Sequence, residues 1–113
     1  MDIATFSIKG DTTKLAALNL VDSIIGALKM HRAHDAISYD YPVNGAGGLG
    51  HTLIQPITES FIAFDAWPDF GGAYLVICSC KTVNLDKVMK KVRACGYTIE
   101  QTRAHELNLC GRL

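Results

Sequence analysis

The chain predicts an α+β fold: a two-layer sandwich in which two helices cover one face of a mostly antiparallel sheet. Two kinds of pattern carry this. Runs of strand formers with period-two alternation occur six times, and apolar residues three or four apart occur twice. They follow the order β-α-β-β-β-β-α-β, which lets both helices lie on the same face of the sheet. At 113 residues the chain is long enough for one domain, residues 1–113, with a core of its own.

The first strand is "IATFSIKG", in which Ile3, Thr5 and Ser7 alternate with Ala4, Phe6 and Ile8 before a Gly-Asp turn. From Thr13 the period lengthens: Leu18, Val21, Ile25 and Leu28 mark a helix behind a "DTT" cap, reaching about Met30. "AISYDYP" is a second strand stopped by Pro42, and "VNGAGGLG" is a loop. Three strands follow, "HTLIQPI", "SFIAFDAW" and "GAYLVICSC", with Pro56 marking an edge or bulge position. "NLDKVMKKVRACG" sets Leu85, Val88, Met89 and Val92 on one helical face, pairs Asp86 with Lys90, and closes on Gly96. "YTIEQTRAHEL" is the last strand. With both helices on one face, the other sheet face needs a cover, and a second copy of the chain is the natural one.

Eleven basic and eleven acidic side chains cancel, and no Lys/Arg run appears, so the basic footprint of a nucleic-acid or anionic-membrane binder is missing. No apolar stretch has the length of a signal or a membrane span, which leads to the expectation of a cytoplasmic protein. In that compartment Cys78, Cys80, Cys95 and Cys110 are expected as thiols, and one of them is free to do chemistry.

Most candidate sites have a plain structural reading. "GAGGLG" formally meets the dinucleotide fingerprint, but Thr52-Leu53-Ile54-Gln55-Pro56 behind it is no helix, so the glycines read as a loop. His31 and His34 at the end of the first helix lack further ligands for a metal and read as solvent-facing. His51 and His105 have the same default. Cys78 and Cys80 share a strand face, and by residue statistics alone read as buried structural cysteines. Ser60 would be a strand-start hydroxyl and Glu59 a solvated turn acid.

The wider run "ITESFIAFDAWPDFGGAYLVICSC" changes that weighing. It resembles the small prokaryotic S-adenosylmethionine decarboxylase proenzymes, whose pattern is Glu-Ser-His, a short strand into His-Thr-Trp-Pro-Glu, then glycine and a strand ending in cysteine. Glu59-Ser60, Trp67-Pro68-Asp69, Gly71 and Cys80 fall in the corresponding places, and the order of elements agrees outside the motif.

The resemblance implies a chain that cuts itself between Glu59 and Ser60. The Ser60 hydroxyl would attack the Glu59 carbonyl to give an ester; loss of the Ser60 α-proton would expel the acyl group, and hydrolysis of the dehydroalanine would leave a pyruvoyl group. That group serves as the electron sink for decarboxylation of an amine substrate, without a metal. It further implies that Cys80 is the proton donor to the decarboxylated carbon, that Thr52 assists cleavage, and that Asp69 lies beside the substrate. The substrate would be S-adenosylmethionine, feeding polyamine (spermidine) synthesis, and the enzyme a homodimer.

Two family histidines are replaced: Phe61 follows the serine, and Asp65 stands where the family has the proton-transfer histidine of self-cleavage. Histidine titrates at about 6.5 and aspartate at about 3.9, so Asp65 is a weaker base unless burial raises it, and slow cleavage or none is expected. No obvious aromatic is present to stack on adenine unless Tyr39 or Tyr41 serves. The departures keep two alternatives open: an ornithine or arginine decarboxylase of the same chemistry, and a non-processing homologue with a binding or regulatory role.

Overall fold

The computed structural model describes residues 1–42 and 49–108. The strands are β1 (Asp2–Lys9), β2 (Ile37–Pro42), β3 (Leu49–Ile57), β4 (Ser60–Trp67), β5 (Gly72–Ser79) and β6 (Thr98–Glu106); the helices are α1 (Lys14–Leu28) and α2 (Leu85–Ala94). The strands form one sheet in the order β2-β3-β4-β5-β1-β6, every neighbouring pair antiparallel. The architecture is the α+β two-layer sandwich the alternation predicts. Most of the glycine loop, including Gly45 and Gly47, and Cys110 lie outside the described residues; Leu49 and Gly50 already belong to β3.

Alternation does its work strand by strand. Ala4, Phe6 and Ile8, then Ile62, Phe64 and Ala66, then Ala73, Leu75 and Ile77 are buried on the helix side. Register lines them up: Leu53, Phe64, Leu75 and Phe6 form one row across four strands. Against these rows α1 presents Ala17, Leu20, Val21, Ile24 and Ile25, and α2 presents Val88 and Val92. Fully burying a side chain such as Phe64 contributes roughly 1.5–3 kcal/mol, so this shared apolar layer is what fixes the helices to the sheet.

The helix ends are set by chemistry the sequence displays. Thr13 Oγ1 accepts from Ala16 N at 3.3 Å, and Asn84 Oδ1 accepts from Lys87 N at 3.2 Å. Helix α1 stops at Leu28 rather than Met30, because Lys29 turns left-handed (φ 54°) and Met30 N bonds back to Ile25 O at 3.0 Å. That reversal delivers the segment from His31 onward to the end of the β3–β4 hairpin.

Pro56 stands in an interior strand, yet past the last β2 partner, since β2 pairing ends at Ile37 and Ile54. Its carbonyl accepts from Ala33 N at 3.1 Å, so the side where an N–H is missing faces this crossing segment, and no ladder bond is lost.

Among the described residues no helix covers the opposite sheet face. Ile37, Tyr39, Phe61, Trp67 and Tyr74 lie on it, and all five are exposed. Across it, Tyr39, Thr52, Asp65, Tyr74 and Ser7 form one row, and Phe61, Cys78 and Ile3 form another. Aromatic side chains thus stand on this face beside the polar Thr52, Asp65 and Ser7.

Candidate functional site

The β3–β4 hairpin closes through two residues, Thr58 and Glu59, with Ile57 opposite Ser60. Ser60 opens β4 with φ 151°, a positive value that L-residues other than glycine rarely adopt. On the other side of β4, Ser60 is paired with Ser79, the last residue of β5. Cys80 follows, and its backbone N–H donates to the Glu59 carbonyl oxygen at 2.9 Å. Residues 59, 60 and 80 therefore meet at one corner of the sheet. A carbonyl that already accepts a fixed N–H is polarised, and the donor would also serve an oxyanion formed there.

Glu59 is not the solvated turn acid its position suggests. It is only 9 % exposed. Its Oε1 accepts from His31 N at 3.1 Å, and its Oε2 lies 3.2 Å from His31 Nδ1. The hydrogen bond from the His31 backbone, aided by the His31 ring and Thr58 and opposed by desolvation, brings the carboxyl down to about 2. His31 accordingly has a partner, although its side chain remains 73 % exposed. The sequence gives no local sign of the pair, because 28 residues separate its members.

A second cluster lies elsewhere. Asp65 Oδ1 accepts from Thr52 Oγ1 at 2.7 Å and from Tyr41 OH at 3.2 Å, while Oδ2 accepts from Trp67 Nε1 at 2.9 Å. The structure thus joins Thr52 to Asp65 but does not bring either beside Ser60. Five residues of strand at about 3.3 Å each separate Ser60 from Asp65 by roughly 16 Å, and alternation puts them on opposite faces. Tyr41 and Trp67 enter as hydrogen-bond donors to a carboxylate, roles that neither spacing nor motif indicates.

Asp69 is farther still, exposed in the 3-10 turn Pro68–Phe70 that leads from β4 to β5. Lys9 Nζ ties this turn to β1 by donating to Phe70 O at 2.5 Å. Gly72 permits the close approach, since a side-chain carbon there would collide with the Ile8 carbonyl oxygen. Beside the turn opens a cavity of about 470 Å³ lined by Ser7, Lys9, Trp67, Phe70, Tyr74 and Glu100. The Trp67 ring lies 6.0 Å from Phe70 and 6.2 Å from Tyr74 between centroids. This aromatic cavity and the Ser60 corner stand at opposite ends of β4.

Cys78, Cys80 and Cys95 are free thiols. Cys78 is half-buried and Cys80 exposed, because β5 ends at Ser79 and residue 80 falls outside the packed layer; the expectation of two buried structural cysteines is corrected accordingly. Buried His51 places Nε2 2.7 Å from Thr12 O and stacks on Phe64, which replaces the surface role expected for it. Among the described residues no cluster of three or more His, Cys, Asp or Glu side chains is arranged to hold a metal ion. No helix among them is long and apolar enough to cross a membrane.

No family model matches the chain, and no curated protein matches its sequence. A solved structure does: the adenosylmethionine decarboxylase from Aquifex aeolicus VF5 superposes with a TM-score of 0.57 at 13 % identity, over 100 % of this chain and 95 % of that one. The likeness therefore runs through the whole sandwich, and at this identity it is a likeness of fold.

Proposed function

We propose that the protein is a pyruvoyl-dependent decarboxylase of the S-adenosylmethionine decarboxylase type, maturing by cleavage between Glu59 and Ser60. The observation that carries the reading is the corner where the Cys80 N–H meets the Glu59 carbonyl, next to a serine in a strained conformation. Self-cleavage by acyl shift asks for these features: an adjacent hydroxyl, a polarised carbonyl, and a ground state whose strain is relieved when the bond is cut. The full-length fold likeness to an adenosylmethionine decarboxylase supports the same reading.

The residues at the corner fit a pyruvoyl group made from Ser60, which would begin β4 at the turn end of the hairpin. Once formed, the group supplies a carbonyl electron sink for loss of carbon dioxide from an amino acid. The chain's own contribution is to hold that residue against β5, whose last residue Ser79 leads directly to Cys80, the proton donor in this reading. The sulfonium amino acid S-adenosylmethionine is the first-choice substrate. The bare apolar sheet face supports a homodimer, in which a second sheet covers Phe61, Trp67 and Tyr74.

A second reading, a non-processing homologue, is favoured by one observation: Asp65, in the place of the family's proton-transfer histidine, is engaged with Thr52, Tyr41 and Trp67 away from Ser60. Intact-mass measurement on long-incubated protein separates the two. Fragments of 59 and 54 residues, absent from Ser60→Ala, are expected. A single 12.3 kDa species would overturn the enzymatic reading. Carbon dioxide release from S-adenosylmethionine, ornithine and arginine then assigns the substrate.

A further inference from the structure

We propose that His31 is a positioning residue for the Glu59–Ser60 bond, a role that rests on the self-cleavage reading above. His31 grips both residues of the hairpin turn. Its carbonyl accepts from Thr58 N at 2.8 Å, its N–H donates to Glu59 Oε1 at 3.1 Å, and its Nδ1 lies 3.2 Å from Glu59 Oε2. The residues beside it continue the grip: Arg32 bridges Ile57, and Ala33 N donates to Pro56 O at 3.1 Å. From the far side, the Cys80 N–H holds the Glu59 carbonyl at 2.9 Å. Lys81 closes the ring, its Nζ donating to Lys29 O at 3.4 Å.

The physical consequence concerns torsional freedom. A two-residue turn with free side chains would let Ser60 relax from φ 151° into the ordinary β region, rotating the Glu59 carbonyl away from the Cys80 N–H. Glu59 is clamped at two points, the carboxylate by His31 and the carbonyl by Cys80, so neither end of the residue can turn without breaking a hydrogen bond. The His31 ring acts on the reacting carbonyl only through Glu59. After cleavage the same clamp would retain the new C-terminus of the smaller-numbered fragment.

The test follows fragment formation by intact mass for the full-length wild type, His31→Ala and His31→Asn, with thermal melts of the same samples. His31→Ala keeps the backbone N–H but loses the ring donor, and is expected to cleave about tenfold more slowly, the effect of one charge-assisted hydrogen bond. His31→Asn keeps a donor near the place of Nδ1 and should recover most of the rate, at an unfolding temperature close to that of His31→Ala. Wild-type speed in His31→Ala, or an Asn variant as slow as the Ala one, would overturn the positioning role while leaving self-cleavage intact. A wild type that never cleaves would instead remove the reading on which the role depends.

Discussion

The strain at Ser60 gives a prediction that needs no catalysis to check. Ser60→Ala and Ser60→Gly both lack the hydroxyl, so both remain uncut and their stabilities are directly comparable. A side chain held at φ 151° carries a penalty of order 1–3 kcal/mol that glycine escapes. Glycine gives back about 0.5–1 kcal/mol through the larger freedom of its unfolded chain. At the middle of these ranges Ser60→Gly is therefore expected to be more stable than Ser60→Ala by about 1 kcal/mol, a rise of roughly 4–8 °C in Tm for a chain of this size. Urea and thermal unfolding followed by circular dichroism would read it. A Gly variant that melts at or below the Ala variant would refute the claim that the fold holds this bond under strain. Relief of strain would then not contribute to cleavage at Ser60.

Two further outcomes follow from the same geometry. Asp65→Ala leaves Thr52, Tyr41 and Trp67 without their shared acceptor on a half-exposed face, and urea titration should show a loss of about 1–3 kcal/mol, with Asp65→Asn, which keeps one carbonyl oxygen, losing less. Glu59, lowered from 4.5 to about 2, stabilises the fold above pH 4.5 and loses that contribution as pH falls toward about 2. The Tm difference between wild type and Glu59→Gln should therefore be constant above pH 5 or so and shrink as the pH is lowered through this window; a difference independent of pH would refute the His31–Glu59 contact.

Much of the fold is legible in the sequence because its causes are local. Alternation in "IATFSIKG" and "SFIAFDAW" follows from the two-residue repeat of a strand, and Val21 and Ile25 follow from the helical period, although Leu20 and Ile24 complete the buried stripe while Leu18 and Leu28 are only partly buried. Thr13 and Asn84 announce their helices because a side-chain oxygen at that position satisfies an otherwise unpaired N–H. The Glu59-Ser60 pair and Cys80 are legible only as a resemblance, since nothing in their spacing states that residue 80 returns to residue 59.

What the sequence by itself determined is therefore the set of elements, their order, and the two apolar layers that must meet. Tertiary structure alone decided that β1 runs between β5 and β6, that Asp65 belongs to a hydrogen-bonded group remote from Ser60, and that His31 reaches Glu59 across the end of the sheet. The reason is range. Period and capping are set within one turn or a few residues, whereas strand order and the partners of a carboxylate are chosen by how the whole core packs, which places residues distant in sequence within hydrogen-bond reach.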